Sequence, residues 1–423
     1  MHSIKFKFSI ILIFSFNILF SQQNISYENK IYKDNIKTVI FHRDGVQFSY
    51  PIIDINKDEK LFLQFDDLNE KQTDYLYTII HCNSDWTPSN LNKIEYIDGF
   101  ENDIIDDYDN SFSTLVSYRH YNLLLPNSNI TPLISGNYIL YVYEDYSFDK
   151  PVLTRRFYVV NKKVKIDAKV KRSTQVSSIN DSQEIVFNVY DVSQIIHNPL
   201  DDMNIRILQN NTEDIFIDNI KPDFIKGDKF EFINSLQLSF KGGNEFRYFN
   251  TKSVKYLNDR FSLITYKEPH YIFELRPEKS EARFPYTYAQ DINGEMLVTA
   301  EIVDNDDLEA DYVYVDFNLL YNNKLDGQDF YVFGALSDWQ INDNCKMYYD
   351  FGEKKYKLRM LLKQGFYNYQ YVSSKNKNIN FSLIEGNHYE TENNYVIYVY
   401  YRQQGSLYDE LVGYKIINSV KEL

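Results

Sequence analysis

Tyr138-Ile-Leu-Tyr-Val-Tyr143 and Tyr395-Val-Ile-Tyr-Val-Tyr-Tyr401 are the two stretches of the sequence that decide its fold class. Both are uninterrupted runs of aliphatic and aromatic residues flanked by polar residues or glycine, which is the composition of a β-strand. Shorter runs of the same kind occupy residues 75–80, 156–160 and 312–317. Turn-forming residues separate the runs, and no window carries an apolar stripe of helical period. The sequence therefore predicts an all-β chain of tandem antiparallel β-sandwiches.

The first residues predict export. Lys5 and Lys7 precede an apolar run over residues 8–20, and Ser21 follows that run. The run is too short to span a bilayer, and its flanks are those of a cleavable signal peptide. We therefore expect residues 1–21 to be a signal peptide and the mature chain to contain no membrane span.

Two polar segments divide the rest of the chain. A lysine-rich connector follows the strand-like run that ends at Val160, and an acidic stretch occupies residues 304–311. Polar segments of this kind commonly join domains. The sequence therefore predicts three β-sandwiches, over residues 22–164, 165–305 and 306–423.

Charge and cysteine content narrow the classes of function. The 60 acidic and 45 basic residues give a formal net charge of −15, which repels phosphate backbones, so nucleic acid is not an expected partner. Cys82 and Cys345 are too few for a disulfide framework. We interpret them as buried thiols, with a domain-bridging disulfide as the open alternative. Aromatic residues make up 17% of the chain, which fits AT-rich codon usage, a tyrosine-rich contact surface, or both.

The sequence contains no arrangement of residues that is typical of an enzyme. Its histidines lack the strand or helix spacing of a metal-binding pair, and phosphate-binding, dinucleotide-binding and serine-nucleophile motifs are absent. His81 and Cys82 are neighbours in a predicted strand, so their side chains would point to opposite faces of a sheet. We expect a protein without catalytic residues, metal ligands or cofactors.

Two acidic stretches, over residues 98–109 and 304–311, carry the oxygen ligands that Ca²⁺ prefers. Neither stretch has glycine at the turn position that an EF-hand loop requires. We interpret both as solvated loops, and Ca²⁺ binding stays the open alternative.

The segment Phe330-Tyr-Val-Phe-Gly-Ala-Leu-Ser-Asp-Trp339, together with the run over residues 358–371, resembles the early-set immunoglobulin-like domains that include glycogen-binding modules. The resemblance implies that Trp339 is a candidate for stacking on a sugar ring. The second stacking Trp of those modules is missing, since Tyr356 stands near its place. Trp339 is therefore a weak binding candidate with packing as the alternative. A carbohydrate-binding accessory protein of the cell envelope is the alternative function.

Several longer motifs occur in a fixed order: Tyr77-Thr-Ile-Ile-His-Cys-Asn-Ser-Asp-Trp86, Glu95-Tyr-Ile-Asp-Gly-Phe100, Tyr118-Arg-His-Tyr121, Phe240-Lys-Gly-Gly-Asn-Glu-Phe-Arg-Tyr-Phe249, Glu385-Gly-Asn-His-Tyr-Glu-Thr-Glu-Asn-Asn-Tyr395 and Tyr408-Asp-Glu-Leu-Val-Gly-Tyr414. Together they resemble the plug proteins of the type IX secretion system of the Bacteroidetes. The resemblance extends from about residue 35 to the C-terminus.

The family resemblance implies a periplasmic protein made of immunoglobulin-like sandwiches. Such a protein docks on the outer-membrane β-barrel translocon and closes its pore from the periplasmic side. The barrel would be its protein partner, and we expect a monomer when the protein is free. Trp86 lies in the strongest family motif and is the second weak binding candidate, with burial inside a sandwich as the alternative.

Overall fold

The structure is a computed structural model of the 423-residue chain, and it describes residues 25–69, 71–210, 212–376 and 378–420. The expected signal peptide, residues 1–21, lies outside the described residues. Regular structure within these ranges is nearly all β-strand, so the predicted all-β class is confirmed. The α-helices are single turns, namely Lys93–Tyr96 (α1), Asp306–Glu309 (α2) and Ser382–Glu385 (α3). No helix of the described part is long and apolar enough to cross a membrane.

The first unit contains the strands Lys30–Ile31 (β1), Ile36–Arg43 (β2), Ile52–Asp54 (β3), Leu61–Asp67 (β4), Tyr75–Cys82 (β5), Ile97–Gly99 (β6), Asp103–Ile104 (β7), Asp107–Asn110 (β8), Arg119–Leu125 (β9), Ile130–Pro132 (β10), Gly136–Glu144 (β11) and Pro151–Val160 (β12). One sheet has the order β1-β12-β11-β5-β7, with β3 beside β12, and the other has the order β2-β4-β9-β8. The first core lies between these sheets.

The second unit begins with the strands Lys165–Arg172 (β13), Ser182–Tyr190 (β14), Met203–Gln209 (β15), Thr212–Asp218 (β16), Phe224–Lys226 (β17), Lys229–Phe232 (β18) and Ser239–Lys241 (β19). The third unit contains the strands Arg247–Asn250 (β20), Phe261–Lys267 (β21), His270–Leu275 (β22), Met296–Val298 (β23), Tyr312–Leu320 (β24), Asp329–Phe333 (β25), Tyr348–Asp350 (β26), Lys355–Lys363 (β27), Gly365–Lys375 (β28) and Asn378–Asn380 (β29). The chain ends with Asn394–Tyr401 (β30) and Glu410–Asn418 (β31).

The last two strands return to the second unit. β30 pairs with β15, and β31 pairs with β30, which gives a sheet of order β16-β15-β30-β31. A second sheet, β13-β14-β18-β17, closes the second core against it. The third core lies between the sheet β21-β22-β24-β27-β26 and the strands around β28. The third unit is therefore inserted between two parts of the second unit.

This arrangement corrects the expected division between residues 165–305 and 306–423. The third core takes side chains from both sides of residue 305, and the second core takes side chains from β30 and β31. The reason is that backbone pairing joins segments that are distant in the sequence, whereas a polar stretch marks only where the chain is accessible to solvent. The expected limit at residue 164 stays a prediction.

Strands β11 and β30 are buried on both faces, which explains their uninterrupted apolar composition. In β11, Tyr138, Leu140 and Val142 point into the first core. In β30, Tyr395, Ile397 and Val399 point into the second core. The intervening residues of both strands pack in one further cluster that joins the two units: Ile139, Tyr141 and Tyr143 from β11, and Val396, Tyr398 and Tyr400 from β30.

We call this further cluster the shared core of the first and second units. At its centre Tyr398 stacks on Tyr158 of β12, with 4.3 Å between ring centroids and 16° between ring planes. The Tyr400 hydroxyl of the second unit donates a hydrogen bond of 2.8 Å to Oδ1 of Asn137 in the first unit. The buried hydroxyl therefore has its hydrogen-bond partner in the other unit. Apolar burial of this extent is typical of a permanent contact between domains.

We expect Tyr398→Ala to lower the free energy of unfolding by about 3–5 kcal/mol, because the aromatic ring leaves a cavity in a fully buried cluster. Tyr398→Phe keeps the ring and should cost less than about 1 kcal/mol. Chemical denaturation followed by circular dichroism measures both values. Equal stabilities of the two variants would show that the shared core does not hold the units together.

Candidate functional site

Trp86 is buried in a turn of the first unit. The turn follows β5, and the Trp86 backbone N–H donates to the carbonyl of Asn83 at 2.9 Å. Its side chain is only 4% exposed, and it packs edge-on against Tyr158. The Arg156 guanidinium lies 4.2 Å from the ring centroid, which is a cation–π contact within the chain. Trp86 is thus packed inside the first unit, which is the alternative to binding that the sequence analysis left open. A role for Trp86 in binding a partner stays a prediction.

Trp339 lies in the turn after β25 in the third unit. Asp338 and Trp339 both have a left-handed backbone, with φ of 56° and 55°. The Trp339 ring meets Phe246 and Phe333 edge-on, at centroid distances of 6.3 and 5.5 Å. Tyr356, near the place of the second sugar-stacking residue, is 2% exposed. The pair therefore offers no two-ring platform to a sugar in solvent, and a binding role for Trp339 alone stays a prediction.

Exposed apolar side chains occur along β6, β10 and the adjoining α1 turn of the first unit, and sequence reasoning missed them. Ile94, Phe100 and Leu133 are 83%, 63% and 46% exposed, and we call them the α1 surface. Backbone hydrogen bonds hold their segments together: the Phe100 N–H donates to Asn129 and the Leu133 N–H to Tyr96. The register of β6 with β10 places Phe100 at one end of this strand pair and Leu133 at the other, so the exposed apolar side chains are spread along the pair. Exposed apolar residues concentrated in one part of a surface mark candidate contact sites. The available signal was the presence of Phe100 inside an acidic stretch.

Exposed carboxylates border the α1 surface. Asp98 and Glu101, from the first predicted acidic stretch, flank Phe100 and are exposed. Lys93 lies 3.6 Å from a Glu101 oxygen, a weak surface pair that leaves the surroundings acidic. An apolar centre with a charged rim is the usual organisation of a protein–protein contact.

The second acidic stretch differs from the expectation of a solvated loop. It forms α2, and the Asn305 side chain caps this turn by accepting a hydrogen bond from the Asp307 N–H at 3.0 Å. Asp307 also accepts a hydrogen bond of 3.2 Å from Gln64, and Asp311 accepts one of 2.6 Å from the Leu115 N–H. Both donors belong to the first unit, so the stretch is a contact between the first and third units.

The thiols and histidines do not form a reactive site in the part of the chain that the structure describes. Cys82 and Cys345 are free and buried, and burial raises their pKa values to about 12 and about 11. Burial lowers the pKa of His81 to about 4, so its imidazole is neutral at pH 7. Within the described ranges no three His, Cys, Asp or Glu residues are grouped closely enough to hold a metal ion.

Glu245 is a buried carboxyl where the second unit meets the third. It is 6% exposed and accepts hydrogen bonds from the Tyr286 hydroxyl and the Glu392 N–H. Its other oxygen has no hydrogen-bond partner among the described residues. Burial therefore raises the pKa of Glu245 to about 7.

Comparisons with known proteins connect these features to a family. A family model described as "Type 9 secretion system plug protein 1st domain" matches residues 36–161, which contain the first core and the α1 surface. The chain is also similar to a crystal structure of a hypothetical protein from Parabacteroides merdae ATCC 43184. The two are 34% identical with a TM-score of 0.90, over 93% of this chain and 100% of that one. No curated protein matches the chain.

We expect Glu245→Gln to remove one component of the pH dependence of stability. In the folded chain the pKa of Glu245 is raised from 4.5 to about 7, so the wild type loses stability as the pH rises between these values. Relative to the wild type, the Gln variant should gain up to about 3 kcal/mol between pH 4.5 and pH 8. Denaturant titrations over this pH range measure the gain.

The matched control is Glu101→Gln, because the Glu101 side chain is 72% exposed. It removes the same charge from an exposed position and so measures the effect of the change in net charge alone. A constant stability difference between Glu245→Gln and the wild type over this pH range would contradict the assigned environment of Glu245.

Proposed function

The chain belongs to the type 9 secretion system plug protein family, and from that membership we propose that it docks on the outer-membrane β-barrel translocon and closes its pore from the periplasmic side. Its involvement in type IX secretion follows from the family. The observation that carries the finer proposal is the match of the plug family model to the first unit, the unit that bears the α1 surface.

The fold suits a closing role that needs no chemistry. A plug must fill an aqueous opening and resist deformation, and close-packed sandwiches with a shared aromatic core are stiff bodies. The first and second units meet through that shared core and so form one thick body. The plug family and the all-β fold also favour a non-catalytic protein.

We place the docking contact at the α1 surface. Its exposed Phe100 supplies an aromatic anchor of the kind that dominates interface energies. The surrounding carboxylates would be attracted to a basic rim if the barrel has one, and such charges speed association and make it dependent on salt. A contact with a polar border is also reversible, which a plug that must leave the pore requires.

Purification of the native translocon tests the function itself. We expect this protein to co-purify with the barrel, and to be depleted from particles in which the pore is occupied by cargo. Quantitative mass spectrometry of the two populations measures the ratio. Absence of the protein from every barrel population would contradict the proposed function.

A substitution tests the docking contact separately. We expect Phe100→Asp to weaken binding to the purified barrel about 30-fold or more, because it replaces an aromatic anchor with a charge. Leu236→Asp is the matched control, since Leu236 is 78% exposed in the second unit, away from the α1 surface. Biolayer interferometry measures both affinities. Equal affinities, with tight binding by the wild type, would move the contact elsewhere and leave the function intact.

A further inference from the structure

The contact between the first and third units differs in kind from the shared core of the first and second. No apolar cluster of the described residues contains side chains of both the first and the third unit. Two ion pairs connect these units, Asp66 with Lys363 and Arg155 with Asp338. Beside the first pair, Tyr118 of the first unit meets Tyr312 of the third edge-on, with 5.5 Å between ring centroids. The first unit supplies the acid in one pair and the base in the other, so the pairs have opposite polarity.

Asp66 is the centre of the first pair. Its carboxylate accepts hydrogen bonds from Lys363 at 2.7 Å and from the Tyr312 hydroxyl at 2.6 Å, both in the third unit. His120 Nδ1 of the first unit lies 2.7 Å from the other oxygen. The side chains of Asp66 and Lys363 are both 0% exposed. Charges taken out of water this completely are stable only while their partners remain in place.

Two further groups hold the Lys363 ammonium, a carbonyl of its own unit and an aromatic ring of the first unit. The ammonium donates to the Asp307 carbonyl at 2.6 Å and lies 4.1 Å from the centroid of the Tyr118 ring. Desolvation lowers the pKa of Lys363 below its usual range. Removal of Lys363 would leave the Asp66 carboxylate buried without its ammonium partner, so the carboxyl group must then take up a proton or gain water.

The second pair is less completely satisfied. Arg155 of β12 donates to Asp338 Oδ1 at 2.7 Å and to the Thr154 carbonyl at 2.9 Å. The other carboxylate oxygen of Asp338 is buried and has no hydrogen-bond partner among the described residues. Burial lowers the pKa of Arg155 and raises that of Asp338, which shows the cost of keeping both charges at this contact.

The chain connections to the third unit contain glycines. One connection passes through Gly242 and Gly243, and the other passes through Gly386. Gly243 and Gly386 have φ of +67° and +87°, and a Cβ on Gly242 would lie 1.9 Å from the His388 carbonyl oxygen. Glycine is therefore required where the two connections run side by side, and the His388 N–H donates to the Gly243 carbonyl at 2.8 Å. The two connections are thus held together at one place, which is the single axis about which the third unit can turn.

We propose that the third unit is a swinging module, held closed against the first unit by the two ion pairs and free to rotate about the paired glycine connections to the second unit. The first and second units move as one body because their contact is an apolar core. A cleft of about 730 Å³ is lined by residues of all three units, so their contact is not fully packed in the closed state. Rotation of the third unit away from the first would widen this cleft. The swing is a property of the free chain and does not depend on docking to a barrel.

Distance measurements between spin labels test the swing. Labels are placed on Tyr146→Cys in the first unit, Leu236→Cys in the second and Phe351→Cys in the third, positions that are 69%, 78% and 74% exposed. Both native cysteines are at most 1% exposed, so they do not compete for the label. In Lys363→Met we expect the first-to-third distance distribution to lengthen and broaden, while the first-to-second distribution stays unchanged.

Three further variants complete the test. Asp66→Asn in the Lys363→Met background removes the unpaired charge and should shift the distribution back toward the wild type. Asp338→Ala breaks the second pair and should open the same contact, which keeps the test decisive if Lys363→Met does not fold. Asp316→Asn is the matched control, because it breaks the exposed Arg359–Asp316 pair within the third unit and should change neither distance.

Hydrogen exchange gives a local readout of the same opening. The Phe112 and Leu115 amides donate across the contact, to the Leu308 carbonyl and the Asp311 carboxylate, and should exchange about tenfold faster or more in Lys363→Met. An unchanged first-to-third distance in both Lys363→Met and Asp338→Ala would overturn the proposal. A parallel change in the first-to-second distance would also overturn it, because the whole chain would then have loosened.

Discussion

Burial of β11 and β30 on both faces is the constraint on which the rest of the structure depends. Each strand lines the core of its own unit with one face and the shared core with the other. The Tyr158–Tyr398 stack shows how closely the two sheets approach. Because both faces are apolar, neither unit can expose its sheet to water without a large loss of burial. Two sandwiches are thereby made into one body.

The third unit makes a different kind of contact with the rest of the chain. Its contact with the first unit contains the Tyr118–Tyr312 pair but is otherwise made of charged and hydrogen-bonded side chains such as Asp66, Lys363 and Arg155. Such groups specify one geometry but contribute little net stability, since each of them loses water when the contact forms. A body with one permanent contact and one separable contact can hold a fixed shape in a pore and still change that shape on release. This combination agrees with the proposed plug role.

Much of the fold could be predicted from the sequence, and the reasons are local. The runs over residues 138–143 and 395–401 are strands because their composition permits little else, and the family resemblance is confirmed by the match over residues 36–161. The pairing of β15 with β30 was not predictable, because it joins distant segments and leaves no local signal. For the same reason the sequence predicts a solvated loop at residues 304–311, whereas in the structure Asp311 accepts a hydrogen bond from the first unit.

The environments of the candidate site residues were not predictable from the sequence for the same reason. The motif that ends at Trp86 was visible, but the burial of its indole under Arg156 depends on a neighbouring strand. Asp66 and Lys363 look like ordinary surface charges in the sequence, since nothing near them shows that each faces the other across two units. Phe100 was visible as an apolar residue among carboxylates, yet its exposure depends on how β6 meets β10.

Electrical conductance of the purified barrel in a planar bilayer tests the central claim most directly. Addition of this protein to the periplasmic side should close the open pore, and washing at high salt should reopen it, because the docking surface has an acidic rim. The same protein on the opposite side should have no effect. Unchanged conductance with the protein demonstrably bound to the barrel would contradict pore closure.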